Sequence, residues 1–176
     1  MIGVNMYYKK IKGKRVYLSP SDIDNEAVIL TKWFNEDEDI ASNNGFERGL
    51  LGIEKVREKL EKWNEGPYLF SIINNDNDEF MGHVTLFNVS QYQSTMGIYI
   101  GDKYRHQGYG REAIEMLMNY AFNTINLKAI HLEVFGYNEH AKAVYESLGF
   151  KECGRWHDVL YHDGRFHDII LMEYVR

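Results

Sequence analysis

Six consecutive residues in the middle of the chain have the composition of an anion-binding turn. The segment reads Arg105-His106-Gln107-Gly108-Tyr109-Gly110 and lies between a predicted strand and a predicted long helix. Two glycines at this spacing let a backbone approach a ligand closely, and the free N–H groups at a helix start favour an anion. The segment therefore predicts a pyrophosphate cradle. A purely structural turn is an equally good interpretation of the segment alone, and it matches neither common nucleotide-binding glycine motif.

A second pair of residues carries groups that could hold and protonate a ligand. Asn138 and Tyr145 are seven positions apart, close to two helical turns, so both lie on one face of a predicted short helix. Asn138 could hold a peptide-like group, and Tyr145 presents a phenol about 10 Å further along the helix. The alternative is that Asn138 is only a helix cap and Tyr145 only a packing residue.

Length and composition indicate one globular domain. The 176 residues are 44% hydrophobic and 26% charged, which argues against long disorder. Cys153 is the only cysteine of the sequence, so an intramolecular disulfide or a cysteine-based zinc site is impossible, and we expect a cytoplasmic location. The net charge of −6 disfavours nucleic-acid binding. The sequence has neither a signal-peptide pattern nor a membrane-length apolar run, so we expect no membrane association.

The periodicity of apolar residues predicts an α/β (α+β) fold with a mixed sheet. Helical spacing predicts four helices, at about 21–34, 53–63, 108–125 and 138–148. Alternating or β-branched runs predict seven strands, at about 15–19, 68–73, 80–87, 92–100, 129–135, 151–161 and 166–174. The polar segment 35–52 is predicted as a loop or a broken helix, and Asp163-Gly164 as a hairpin turn.

The order and spacing of these motifs resemble the GNAT superfamily of acetyl-CoA-dependent N-acetyltransferases. The most specific part begins at Gly97 with a strand, R-x-x-G-x-G and a helix, and continues through Asn138-x-x-Ala141-x-x-x-Tyr145-x-x-x-Gly149-Phe150 to Gly154. Together with Asp168, these features look like the branch of ribosomal-protein N-terminal and spermidine acetyltransferases. The resemblance implies a mostly antiparallel sheet of about seven strands flanked by about four helices. The acetyltransferase domain would span residues 15–176, after an extension of residues 1–14.

The resemblance also implies that the co-substrate is acetyl-CoA and that no metal is needed. It further implies which residues bind acetyl-CoA. The pyrophosphate would be held by Arg105, His106, Gln107, Gly108, Tyr109 and Gly110. The pantetheine arm would pair with the backbone of Ile98, Tyr99 and Ile100, in a slot where that strand splays from residues 129–135. Asn138 would contact the pantetheine or a nearby water, and Tyr145 would lie near the thioester sulfur.

The chemistry of acetyl transfer fits these roles. A neutral amine attacks the thioester directly in a ternary complex, and a backbone N–H at Ile98 or Tyr99 is available to the developing oxyanion. The thiol of CoA resembles cysteine, with a pKa of about 8.5, and a tyrosine phenol titrates at about 10. Tyr145 is therefore the predicted general acid. A covalent enzyme intermediate is not required, so Cys153 is predicted to be structural.

The general base is poorly defined by the sequence. His83, His131 and Glu133 are candidates by their strand positions, although a structural role is the simpler interpretation of each. Many members of this branch carry an acidic residue just before the strand that ends at Ile100. This chain has Thr95-Met96 there, so a catalytic glutamate cannot simply be transferred from the family.

Charged and aromatic clusters bear on metals and on the acceptor. Strand alternation predicts that the pairs His157-Asp158, His162-Asp163 and His167-Asp168 do not converge, so we expect no metal site. The acidic run Glu36–Asp39 falls where the resemblance places the acceptor rim, and it would attract a polyamine or a basic peptide N-terminus; a solvated loop is the alternative. Five aromatic residues could wall that pocket but are more often core, namely Trp33, Phe34, Tyr68, Phe70 and Phe87.

Two other functions stay open at this stage. The same cradle could belong to a noncatalytic acyl-CoA-binding sensor, or the acceptor could be an amino sugar. The sequence also leaves a homodimer open.

Overall fold

The computed structural model describes residues 7–43 and 49–176. Within these residues it contains eight strands and five α-helices. The strands are Ile11–Lys12 (β1), Val16–Pro20 (β2), Leu69–Asn74 (β3), Phe80–Phe87 (β4), Gln93–Ile100 (β5), Ala129–Phe135 (β6), Lys151–His162 (β7) and Arg165–Val175 (β8). The helices are Ile23–Glu36 (α1), Glu38–Asn43 (α2), Ile53–Trp63 (α3), Tyr109–Asn123 (α4) and Glu139–Ser147 (α5), and Asp102–Tyr104 forms one 3-10 turn.

All eight strands form one sheet in the order β1-β2-β3-β4-β5-β6-β8-β7. Every neighbouring pair is antiparallel except β5 and β6, which are parallel. The predicted mixed, mostly antiparallel sheet is thus confirmed, with one more strand than expected. That strand is β1, which pairs with β2, so the sheet begins inside the segment 1–14 that the sequence assigned to an extension.

The polar segment 35–52, predicted as a loop or a broken helix, is a broken helix in its first part, where α1 ends at Glu36 and α2 begins at Glu38; residues 44–48 lie outside the described part of the chain. The carboxylate of Asp37 accepts a hydrogen bond from the Ile40 N–H at 3.1 Å, which caps α2, and Ile40 and Ala41 are buried. The capping signal was present in the sequence, where an acidic residue precedes two apolar ones.

Helices cover both faces of the sheet, and strand alternation decides which residues meet which helices. On β2, Val16 and Leu18 pack in the core shared with α4 and α5, whereas Tyr17 packs in the core shared with α1 and α3. The α4 residues in the core recur at helical spacing, as predicted: Ala113, Ile114, Leu117, Met118, Ala121 and Phe122. The predicted hairpin turn is confirmed by the positive φ angles of Asp163 (49°) and Gly164 (78°).

A buried polar network ties α1 to the centre of the sheet. The Glu26 side chain is 0% exposed, and it pairs with His83 Nε2 at 2.7 Å and accepts a hydrogen bond from Ser71 Oγ at 2.5 Å. The Ser21 hydroxyl also donates to it, and the Tyr99 phenol bonds the other ring nitrogen of His83. Each buried polar side chain of this network therefore has a hydrogen-bond partner.

The protonation of Glu26 makes the fold sensitive to acid. Burial raises the pKa of the Glu26 carboxyl, but the hydrogen bond and charge of His83 and the hydroxyls of Ser21 and Ser71 outweigh it and hold the pKa below its usual range. A carboxyl whose pKa is lower in the folded state contributes stability above its unfolded pKa of about 4.3. That stability is lost as the pH falls through the folded pKa.

We therefore expect Glu26→Gln to lower the free energy of unfolding at pH 7 by about 1–3 kcal/mol. Between pH 5 and pH 3 the free energy of unfolding should also fall less in the variant than in the wild type, because Gln does not titrate. Urea unfolding at each pH measures both effects, and Glu58→Gln, an exposed carboxylate on α3, is the control. A variant whose stability falls with acid as steeply as the wild type would contradict the role of Glu26.

Candidate active site

The parallel strands β5 and β6 pair over only three residues and then separate. Their register runs from Gln93–Ala129 to Thr95–His131 and stops there. A cavity of about 720 Å³ opens beyond this point, between the two strands, the start of α4, α5 and α2. On the cavity side, the edge of β5 from Met96 to Ile100 has no strand partner among the described residues. Such an edge offers N–H and C=O groups to an extended, amide-containing ligand.

The predicted cradle forms the end of this cavity, and its backbone is shaped for close approach. His106 and Gly108 both have positive φ, 58° and 82°, and α4 begins directly after them at Tyr109. Successive residues of this kind at a helix start turn N–H groups toward one concave site. A Cβ at Gly110 would stand 3.4 Å from Ile100 Cγ1, so the missing side chain leaves space beside β5.

Three of the six cradle side chains already form contacts elsewhere in the protein, and two of these three do not line the cavity. The Arg105 guanidinium pairs with Asp37 and with Asp39, the latter at 3.0 Å. Gln107 donates to the Lys103 carbonyl at 2.8 Å, and the Tyr109 ring lies under the Arg15 guanidinium, 4.5 Å from its centroid. Gln107 and Tyr109 do not line the cavity. A ligand at the cradle would therefore contact mainly its backbone and its glycines.

The two residues predicted on α5 both line the cavity. Asn138 Oδ1 accepts from the Ala141 N–H at 3.1 Å, so Asn138 caps the helix and its side-chain NH₂ remains a donor. Tyr145 is 9% exposed and packs on Phe150, and its phenol makes no hydrogen bond within the described part of the chain. Burial raises the pKa of the Tyr145 phenol to about 12. The phenol thus stays protonated at any physiological pH.

The three base candidates have different surroundings. His83 is 1% exposed and locked between Glu26 and Tyr99, so it is a structural residue of the sheet. His131 bonds Gln93 at 3.2 Å and does not line the cavity. Glu133 is exposed and does line it, on the strand face opposite Leu132 and Val134. Of the three, Glu133 alone could exchange protons with a ligand in the cavity.

Two of the three histidines of β7 and β8 lie close together on one face of the hairpin. His157 pairs with Asp168, but His162 and His167 both contact the Tyr137 ring, at centroid distances of 4.3 and 5.0 Å. The register places Leu160 opposite His167, as expected, and His162, two residues after Leu160, lies on the same face by ordinary strand alternation. The described residues contain no group of three or more His, Cys, Asp or Glu suited to a metal ion.

Several cavity residues had no recognisable signal in the sequence. Helix α2 contributes Ile40, Ser42 and Asn43, and His162 comes from the far hairpin. His106 and His140 stack edge-on across the α4–α5 side, 4.6 Å between centroids. None of the five aromatic residues proposed for the acceptor wall lines this cavity; Trp33 instead lines a neighbouring acidic pocket of about 500 Å³ with Glu36, Asp37, Glu38 and Asp39.

Comparison with known proteins supports one family. Residues 15–151 match the model of the acetyltransferase (GNAT) domain family. The chain is 26% identical over 117 residues to the N-acetyltransferase YokL of Bacillus subtilis. That match covers 65% of the length of this chain and 64% of the length of the relative. It is 24% identical over 152 residues to spermidine N(1)-acetyltransferase of Escherichia coli, covering 85% of this chain and 75% of that enzyme.

Solved structures share the fold. The spermidine N-acetyltransferase of Vibrio cholerae in complex with CoA and spermine superposes with a TM-score of 0.80, over 93% of this chain and 96% of that one, at 22% identity. No helix among residues 7–43 and 49–176 is long and apolar enough to cross a membrane. Because the family model spans more than half of the sequence, this chain belongs to the GNAT family of acetyltransferase domains.

Proposed function

We propose that the protein is an N-acetyltransferase that transfers the acetyl group of acetyl-CoA to a primary amine, with spermidine or a similar polyamine as the acceptor. The observation that supports this most strongly is the cavity itself. One space brings together the unpaired edge of β5, the cradle at the start of α4, Asn138 and Tyr145. The family and the spermidine acetyltransferases among its relatives support the reaction and the acceptor class.

The described residues fit the cofactor. The pyrophosphate would bind at the backbone of His106–Gly110, and the pantetheine amides along Ile98–Ile100 with the Asn138 NH₂ group opposite. Bound acetyl-CoA supplies an activated acetyl group. The N–H of Ile98 or Tyr99 would stabilise negative charge on the acetyl oxygen.

Tyr145 is suited to donate to the departing sulfur. Its pKa of about 12 lies about 3.5 units above that of a typical thiol, near 8.5, so complete proton transfer is uphill. A hydrogen bond from a phenol that never ionises at neutral pH still stabilises the thiolate. We therefore refine the general-acid prediction for Tyr145 to hydrogen-bond donation.

Glu133 is the proposed base, because it is the one candidate that faces the cavity. A direct attack within a ternary complex agrees with the position of Cys153, which is exposed and lies outside the cavity lining. The alternative of a noncatalytic acyl-CoA sensor predicts CoA binding without thiol release from any amine.

The cofactor site is tested by filling the space at Gly110. Gly110→Val adds methyl groups beside Ile98 and Ile100 without requiring a positive φ, whereas Gly108, at φ 82°, would be strained by any side chain. We expect saturating CoA to raise the Tm of the wild type by about 5–10 °C and that of the variant not at all. Gly66→Val is the control, because its Cβ meets nothing within 4 Å. An unchanged CoA response in folded Gly110→Val would refute the assignment.

The role of Tyr145 is tested by removing its hydroxyl. Tyr145→Phe removes one hydrogen-bond donor to the developing thiolate and should lower kcat by about 10²–10³-fold, while CoA affinity stays within a factor of a few. Because the pKa is about 12, the wild type should show no loss of kcat from Tyr145 ionisation below pH 10. A variant with nearly wild-type turnover on its best acceptor would show that Tyr145 only packs.

The acceptor class is tested with Glu36 and Glu38, the two carboxylates of the acidic run that do not pair with Arg105. Glu36→Gln with Glu38→Gln should raise the KM for spermidine two- to fivefold, with kcat nearly unchanged, because local negative potential concentrates cations. The difference from wild type should shrink with added salt. Glu61→Gln with Glu65→Gln removes the same charge elsewhere and should do less. Equal KM values for both double variants would contradict local steering by the run.

A further inference from the structure

The short helix α2 forms one wall of the cavity but is too short to hold its own position. It has six residues, and Ile40, Ser42 and Asn43 line the cavity opposite β6. Isolated helices of this length are unstable in water, so contacts with the rest of the protein must fix it. Besides the burial of Ile40 and Ala41, two polar contacts fix α2, one at each end.

The first contact joins the start of α2 to the cofactor cradle. Asp37 caps α2 with one carboxylate oxygen and accepts from Arg105 with the other. Both side chains are mostly buried, 14% exposed for Asp37 and 16% for Arg105. Arg105 also donates from Nε to the Ile100 carbonyl at 3.0 Å, at the end of β5. One guanidinium thus links the helix cap to the strand that borders the cavity.

The second contact joins the end of α2 to the loop before α5. The Tyr137 hydroxyl donates to the Ser42 carbonyl at 2.8 Å. Tyr137 directly precedes Asn138, and its ring stacks on His162 at 4.3 Å. Arg105 and Tyr137 therefore both belong to segments that we assign to cofactor binding.

We infer that Arg105 and Tyr137 are positioning residues that hold α2 as the acceptor-side wall and couple its order to occupation of the cofactor site. This inference rests on the proposed function for its ligand. All three nitrogens of the Arg105 guanidinium already have partners, namely the Ile100 carbonyl, Asp37 and Asp39. A phosphate that drew Arg105 away from Asp37 would leave a mostly buried carboxylate without its cation, which is costly. The guanidinium therefore serves the acceptor wall, and the phosphate contacts fall to the backbone.

The test measures hydrogen–deuterium exchange of the α2 amides in the free protein and with saturating CoA. Asp37→Asn keeps a helix-capping side chain but removes the charge, and Arg105→Gln removes the partner. Both should speed α2 exchange at least about tenfold, and the double variant should be no faster than either single one. Tyr137→Phe should act in the same direction. Asp102→Asn is the control, because Asp102 lies 3.8 Å from Arg105 and is 85% exposed.

In the wild type, CoA should slow exchange both in residues 97–110 and in α2, and the variants should lose only the α2 effect. CoA protection of residues 97–110 without any effect on α2 would overturn the coupling. A CoA affinity that falls tenfold in Arg105→Gln but not in Asp37→Asn would instead make Arg105 a phosphate ligand and overturn the inference. Absence of CoA protection anywhere would refute the proposed function, whereas faster α2 exchange in the variants would still support the positioning roles.

Discussion

The early end of the ladder between β5 and β6 is the constraint on which the site depends. Buried peptide groups need hydrogen-bond partners, and a parallel pair that stops after Thr95–His131 leaves two strand edges without them. The fold keeps this gap open by separating the strands with the start of α4 on one side and α5 on the other. Each residue proposed to act on a ligand is placed by one of these elements, so the gap determines both the shape and the chemistry of the cavity.

A strand that lacks a partner along one edge must be held firmly from elsewhere. β4 pairs with β5 along its other edge, with His83 opposite Tyr99. The same two side chains join Glu26 on the helix face behind the sheet, through hydrogen bonds that are almost completely buried. The network therefore fixes the position of the backbone donors near Ile98. His83 and Glu26 do not line the cavity, so this histidine has a structural role.

Local signals in the sequence predicted local structure well. The helical spacing of α4, the Asp163-Gly164 turn and the cap at Asn138 each depend on neighbours within a few residues, and each is present. The partner of Arg105 could not be predicted in this way. Arg105 and Asp37 are 68 positions apart, and nothing in the sequence around either residue indicates the other. Such pairs arise only when the fold brings distant segments together.

The same pairing changes the electrostatic meaning of the acidic run. Four consecutive carboxylates suggest one negative surface, but Asp37 is mostly buried against Arg105, whereas Asp39 shares that cation while 76% exposed. The single guanidinium offsets one of these two negative charges, because opposite charges in contact act at a distance as a dipole, and one negative charge remains. Glu36 lies 3.7 Å from Lys32, which offsets part of its charge. The attraction felt by an approaching amine then depends on Glu38, on the part of the charge of Glu36 and Asp39 that is not offset, and on the net charge of −6. Within one short run, buried Asp37 thus fixes the wall of the cavity, and the three exposed residues set the potential outside it.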